Sequence, residues 1–384
     1  MKIVYCTDSI CYVGGISRIT IAKASALAAI PGNEVWIAVT DNRKQLTLPI
    51  HPKVHVVDLQ INYFEDDWKG KLYVLKGIFY KRRLHKQKLT TLLEQIQPDI
   101  VIATGTSEKY FLPSIHVSSH PAVIREIHFF KYYRQAAANN RFAKLMAAAG
   151  DLLDYRVYIH RYDKIVVLTE EDKQTNWDND TKICVIPNPV TEVSELRSTH
   201  NSKKVIAAGR LSYQKNFASL IRIWSMVHVY YPDWMLEIWG SGGYQAQLEA
   251  QIQELNLQDS AFLMGHSSAV LSKMADASIY TLSSVFEGLP LVIVEAMSVG
   301  LPVVAYECPT GPKDIISEGQ DGFLVPAGDE QLFAKRLQEL MADRSLRAEM
   351  GANALKKAEQ YRIEPIIQCW MDLFAQLKAQ KLEK

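Results

Sequence analysis

The chain has 384 residues, is 48% hydrophobic, and carries 43 Lys and Arg against 42 Asp and Glu. It is too long for one ordinary core and fits two domains of roughly 190 residues, while its balanced charge leaves the choice of partner to local patches. Five scattered cysteines (Cys6, Cys11, Cys184, Cys308 and Cys369) with no CxxC pair speak against a disulfide framework or a zinc site and for a reducing compartment. The opening MKIVYCTDSI lacks a signal-peptide pattern, and no apolar run reaches the roughly 18 residues of a membrane span. Any membrane contact is therefore expected to be peripheral.

Lys2 to Cys6 reads as a buried strand, followed by the polar loop TDSICYVGGISR and a helix from Thr20 to Ala29. Strand, glycine loop and helix open a nucleotide-type α/β unit. Gly14-Gly15 allows close backbone approach to a ligand or simply makes a turn, and it is not the GxGxxG fingerprint. Further strands are expected at Glu34 to Thr40, Val54 to Leu59, Asp99 to Ala103, Val123 to Ile127, Lys164 to Leu168 and Ile183 to Pro187. Their alternation with helical stretches implies a parallel, doubly wound sheet.

The intervening segment Trp68 to Leu89 holds eight Lys or Arg, no acid, and the interleaved aromatics Trp68, Tyr73, Phe79 and Tyr80. It suits an anionic membrane surface, a nucleic acid, or a solvated helix face packed by its aromatics. Phe129 to Ala149 has a milder version of the pattern and suits the lining of an acceptor cleft.

Pro187-Asn188-Pro189 and the polar run Thr191 to Ser202 mark a boundary, giving domains 1–190 and 191–362. The second half repeats the alternation, from a strand at Lys204 through Met235 to Trp239, Ala261 to Met264, Ala277 to Thr281, Pro302 to Ala305 and Gly322 to Val325. Glu364 to Leu382 reads as an amphipathic helix with Ile366, Ile367, Trp370, Leu373, Phe374 and Leu377 on one stripe.

The chemistry concentrates in the second half. Arg210 and Lys215 share a loop at the carboxyl end of a strand, where open α/β sheets bind ligands, and a guanidinium fork with an ammonium suits a diphosphate. Gly240 in IWGSGGY and Gly265 in LMGH end further strands, the second beside a possible base pocket. VFEGLPLVIVEAMSVG (Val285 to Gly300) places Glu287 in a loop and launches a helix at Gly288-Leu289-Pro290-Leu291. The N–H groups of such a first turn form an anion site. Glu295, inside that apolar helix, needs a partner; a ribose diol or a structural cation both qualify. Glu287 is expected to be free to face a sugar. His128 follows a strand end and reads alone as structural, and Asp178-Asn179-Asp180 matches a DxD metal pattern only weakly.

GRLSYQKNF, IWGSGGY, FEGLPLVIVEAMSVGLPVVA and TGPKDIISEGQDGFLVPAGD together resemble the family 4 retaining glycosyltransferases of GT-B fold, in which two Rossmann-like domains face each other across a cleft. Glu287 and Glu295, with seven residues between them, match the family's paired glutamates. The resemblance covers most of the chain. It implies that Arg210, Lys215 and the backbone of Gly288 to Leu291 hold the donor diphosphate. It further implies that Glu295 binds the ribose, Glu287 contacts the donor sugar, Gly15 brings first-domain backbone to the phosphates, and His128 sits near the transferred sugar. The helix at 363–384 is then expected to return to the first domain. Asn188-Pro189 and Gly311-Pro312 depart from the usual Asn-Gly and Gly-Gly; the first stiffens the hinge, and the second removes a backbone N–H at Pro312.

The implied reaction moves a hexose or N-acetylhexosamine, from a donor that the TGPKDII form suggests is UDP-linked, to a glycan or lipid-linked glycan of a surface polysaccharide. No cofactor, metal or nucleic acid is expected, and domain closure would exclude water. The expected location is the cytoplasm, at the inner face of the membrane. The rival readings are an NAD-dependent oxidoreductase, a non-enzymatic sugar-nucleotide-binding or membrane-binding protein on the same scaffold and, closer at hand, a sugar phosphorylase.

Overall fold

A computed structural model describes residues 1–11, 15–41, 48–63, 71–138, 140–177, 180–192 and 194–382. The chain forms two compact units. The first comprises Met1–Val167, Trp177–Thr191 and Ile363–Lys384; the second comprises Leu168–Asn176 and Glu192–Arg362.

The first unit opens with β1 (Lys2–Thr7), α1 (Gly15–Ala29), β2 (Glu34–Val39), β3 (Val54–Asp58), α2 (Lys71–Ile96), β4 (Ile100–Ala103), β5 (Ala122–Glu126), α3 (Tyr133–Ala136), α4 (Arg141–Leu153) and β6 (Lys164–Val167). α5 (Glu170–Asn176) belongs to the second unit, and β7 (Ile183–Val185) to the first. The second unit continues with β8 (Lys204–Ala208), α6 (Phe217–His228), β9 (Met235–Trp239), α7 (Gln245–Glu254), β10 (Ala261–Gly265), α8 (Val270–Ala275), β11 (Ile279–Leu282) and α9 (Leu291–Ser298). It ends with β12 (Val303–Glu307), α10 (Pro312–Ile315), β13 (Gly322–Pro326), α11 (Glu330–Ala342) and α12 (Arg344–Ala358), after which α13 (Ile363–Leu382) packs in the first unit.

Each unit is built on one parallel sheet. The strand orders are β3-β2-β1-β4-β5-β6-β7 and β10-β9-β8-β11-β12-β13. In both, the chain reverses its direction of travel across the sheet beside the first strand. The loops after β1 and β4, and after β8 and β11, therefore diverge and leave a crevice at the strands' carboxyl ends.

Both sheet faces are covered, which is why the strands are nearly unbroken apolar runs. Successive strand side chains point to opposite faces. Ile3 and Tyr5 accordingly enter the core under α1 and α13, while Val4 and Cys6 enter the core under α2. α13 buries Ile366, Ile367, Trp370, Leu373, Phe374 and Leu377, one stripe at helical spacing, into the first of these cores.

Two boundaries differ from the sequence reading. α1 begins at Gly15, not Thr20, because the first N–H groups of a helix need no intrahelical partner and so tolerate Gly and Ser there. Leu168–Asn176, expected within domain 1–190, lies with the second unit. Its N-terminal amides donate to Asp314, Glu170 N at 2.6 Å and Glu171 N at 3.3 Å, and Glu171 Oε2 in turn accepts from Gly311 N at 3.0 Å.

Among the described residues no helix is long and apolar enough to cross a membrane. Of the basic segment Trp68 to Leu89, residues 68–70 lie outside the described residues, and the remainder runs along α2.

Candidate active site

In the second unit the candidate residues gather at the carboxyl ends of the paired strands β8 and β11. β8 ends at Ala208 and is followed by Gly209-Arg210; β11 ends at Leu282 and is followed by Ser283, Ser284 and Glu287. The two loops are bonded to each other. Val285 N donates to Gln214 O at 2.8 Å, and Ser283 Oγ donates to Lys215 O at 2.9 Å.

Glu287 is not free. It is 7% exposed and is held from three sides. Lys215 Nζ donates to its Oε1 at 2.6 Å, Ser284 Oγ to the same oxygen at 2.6 Å, and Gln214 Nε2 to Oε2 at 3.4 Å. The correction has a simple cause: a carboxylate in a nearly dry loop must be paired or hydrogen-bonded. Room for the Lys215 stem comes from Gly209, where a Cβ would stand 2.9 Å from Lys215 Cε.

Arg210 behaves differently. Its side chain is exposed, and no ion-pair or hydrogen-bond partner for the guanidinium occurs among the described residues. α9 begins at Leu291, four residues after Glu287, with Pro290 at its N-cap and Leu289 just before it. Glu295 is half-buried on α9 between the buried Val294 and Ala296. Both glutamates act on buried Tyr280, whose phenol donates to Ala208 O at 3.4 Å; burial raises its pKa first, and the charges of Glu295 and Glu287 add to the shift.

The glycines divide into two kinds. Gly240 has φ +147°, and a Cβ there would lie 1.9 Å from Gly209 O. Its bare backbone is therefore needed to seat one loop on the next. Gly265 has φ +76° with open space around it, and Gly15 is exposed at the start of α1, likewise with open space. Gly311 N–H is engaged by Glu171, and a Cβ at Gly311 would meet Pro290 Cδ at 2.6 Å.

In the first unit His128 follows β5, and its side chain is buried. It belongs to a polar cluster that sequence reasoning did not find. Lys23 from α1 is fully buried and donates to Glu126, whose Oε1 stands 3.8 Å from His128 Nε2. Lys23 also lies 4.8 Å from the centre of the Trp370 ring. Asn188 Nδ2 stands 3.5 Å from His128 Nδ1, so the residue read as a hinge stiffener also packs against the histidine. His128 Nε2, Glu126 Oε2 and Asn188 Oδ1 are buried without a hydrogen-bond partner. Burial pushes His128 down to about 4, so the ring is neutral at physiological pH. Lys23 and Glu126 left no sequence signal, because a lone Lys in an apolar helix and a lone Glu after a strand are ordinary.

His128 and Glu126 border a cavity of about 110 Å³, lined also by Thr106, Arg125, Tyr133 and Tyr155. Burial raises the Tyr133 and Tyr155 phenols above their ordinary value, which keeps them hydroxyl donors. Nearby, Glu108 is fully buried; it accepts from Gly105 N at 2.6 Å, and burial with the Asp8 charge pushes its carboxyl up to about 7. Among the described residues no group of three His, Cys, Asp or Glu side chains is placed to hold a metal ion. Residues 178 and 179 of the DxD pattern lie outside the described residues.

Residues 191–357 match the family described as Glycosyl transferases group 1. An uncharacterized glycosyltransferase of Haemophilus influenzae is 29% identical over 366 residues, covering 93% of this chain and 95% of that protein. The amylovoran biosynthesis glycosyltransferase AmsD of Erwinia amylovora is 33% identical over 220 residues, covering 55% of this chain and 62% of that protein. Among solved structures, HepE of Anabaena in complex with UDP-glucose superposes with a TM-score of 0.74 at 18% identity, over 98% of this chain and all of that one. The chain is thus a glycosyltransferase of GT-B fold, with a glycosyl transferases group 1 domain at residues 191–357.

Proposed function

We propose that the protein is a family 4, retaining enzyme that moves a hexose or N-acetylhexosamine from a UDP-sugar to a glycan or lipid-linked glycan in surface polysaccharide synthesis. The observation that carries this reading is the meeting of Arg210, the Lys215–Glu287 pair and the start of α9 at the crevice between β8 and β11. That arrangement offers two cations and a helix N-terminus to a diphosphate, with one fixed carboxylate beside them. The name of AmsD, which speaks of amylovoran biosynthesis, and the UDP-glucose complex of HepE support the polysaccharide and UDP parts.

In this reading Arg210 and Lys215, with the backbone of Gly288 to Leu291, hold the diphosphate, and Glu295 accepts from the ribose hydroxyls. Gly240 and Gly265 shape the loops of the nucleotide pocket. Glu287, oriented by Lys215 and Ser284, accepts from sugar hydroxyls. The bond between the anomeric carbon and the phosphate oxygen breaks, the acceptor oxygen bonds to that carbon on the same face, and its proton passes to the leaving phosphate. Charge growing on that phosphate is stabilised by preorganised cations, an effect worth several kcal/mol of barrier. His128, neutral and held near Glu126 and Asn188, serves the transferred sugar as a hydrogen-bonding group, and Gly15 lends backbone to the phosphates.

A thermal-shift panel of UDP-, GDP- and ADP-sugars tests the donor, because a ligand of the native state raises its melting temperature by mass action. UDP-sugars should stabilise the protein, and Arg210→Ala should abolish the response. Stabilisation by GDP- or ADP-sugars alone overturns the base assignment. An inverted anomeric configuration in the product, read by NMR, overturns retention.

A further inference from the structure

α4 is turned inside out relative to an ordinary surface helix. Phe142, Leu145, Met146, Leu152 and Leu153 are 73%, 68%, 59%, 57% and 53% exposed. At about 100° per residue they share one stripe with Ala149, and Asp151 falls roughly opposite. Asp151 is the residue that is buried, bonded to Arg134 and Gln135. The helical turns after α4 extend the face with Val157, which is 44% exposed.

Within its own segment the exposed charges have one sign. From Phe129 to Arg161 the only acids are Asp151 and Asp154, and both are buried against Arg134. Arg141, Lys144, Arg156 and Arg161 are exposed. A second patch adjoins. Arg82 of α2 stacks 4.2 Å over Tyr110, Tyr110 meets Tyr158 edge-on at 5.1 Å, and Arg161 covers Tyr158 at 5.7 Å. Phe79 and Tyr80, about one helical turn before Arg82 on α2, are exposed at 71% and 69%.

We propose that this face of the first unit, formed by residues 141–157 of the α4 region with Phe79 to Arg83 of α2, docks on an anionic phospholipid surface. A stripe of large apolar side chains whose own segment exposes cations and no acid lies in the plane of a lipid interface, with its apolar side chains below the headgroups and its cations among the lipid phosphates. A protein partner of mixed charge would leave the cations of the rim unmatched. The proposal is independent of the donor site and stands whichever sugar is transferred.

Co-sedimentation of the full chain with vesicles tests it. Vesicles of phosphatidylglycerol and phosphatidylcholine should bind the protein, and vesicles of phosphatidylcholine alone should bind it far less. The variant Arg141→Gln/Lys144→Gln/Arg156→Gln should bind mixed vesicles roughly a hundredfold less tightly. Phe142→Ser/Leu145→Ser/Leu152→Ser should lose binding at unchanged melting temperature, because these side chains support no core. Equal binding to both vesicle types, or wild-type binding by the second variant, overturns the proposal. So does a concentration-dependent dimer in light scattering that binds no vesicles, which would make this face a contact between copies.

Discussion

Lys215 Nζ lies 2.6 Å from Glu287 Oε1, so the cation assigned to the diphosphate and the carboxylate assigned to the sugar form one ion pair. Each fixes the other, so in the proposed site a change to either is expected to disturb the contacts to both ends of the donor.

Removing one partner leaves a charge in a mostly buried place, which costs about 3 kcal/mol or more. Glu287→Ala and Lys215→Ala should each show that loss in urea denaturation at neutral pH, and the double variant should lose less than the sum. Strict additivity would mean that the pair is not coupled.

Arg210 should give the opposite pattern. An exposed side chain without partners changes stability by no more than about 0.5 kcal/mol, whereas loss of one transition-state donor lowers the rate about 10²- to 10³-fold. Initial rates of sugar transfer and a melting curve for Arg210→Ala separate the two effects. Arg210→Lys should recover only part of the rate, since an ammonium lacks the guanidinium fork. A wild-type rate in the alanine variant removes Arg210 from the site.

Glu108 sets a pH dependence. Its carboxyl is raised from 4.5 to about 7, chiefly by burial and then by Asp8. The folded state therefore holds this proton more tightly than the unfolded chain does. The stability it contributes is full below 4.5 and is lost as pH rises through about 7. Glu108→Gln keeps an acceptor for Gly105 N and has no proton to lose. Relative to wild type, the variant should gain roughly 3 kcal/mol between pH 4 and pH 9, because each pH unit between the unfolded and folded values is worth about 1.4 kcal/mol. Urea denaturation across that range measures it, and a flat difference refutes it.

Trp370 is fully buried between α13 and the first sheet and carries Lys23 over its ring. Trp370→Ala should cost about 4 kcal/mol, the usual range for a large aromatic removed from a core. Calorimetry should show the transition of the first unit shifting to lower temperature. An unshifted transition would mean that α13 is peripheral to that unit's stability.

Much of the fold was legible because both sheets are buried on both faces. Strands such as Ile100–Ala103 then have no polar alternation to confuse them, and the α13 stripe follows a plain helical period. The meeting of the Arg210 and Glu287 loops was implied by the family resemblance, and the place of each loop after a strand agrees with it. The pairing of Glu287 with Lys215 was not, because it joins residues 72 positions apart through a loop crossing. The Lys23–Glu126–His128 cluster was hidden for the same reason: Lys23 and Glu126 lie 103 positions apart, and burial is not visible in composition. The excursion of α5 into the second unit hangs on Asp314, a residue that from sequence looks like any surface acid.

The return of α13 to the first unit sets an order of completion during synthesis. The second unit is whole once Arg362 has been made. At that moment the first unit still lacks Trp370, Leu373, Phe374 and Leu377, which form one wall of its core. The half of the chain that begins first therefore finishes last, with one face of its sheet only partly covered, by α1, until Ile363–Leu382 arrives.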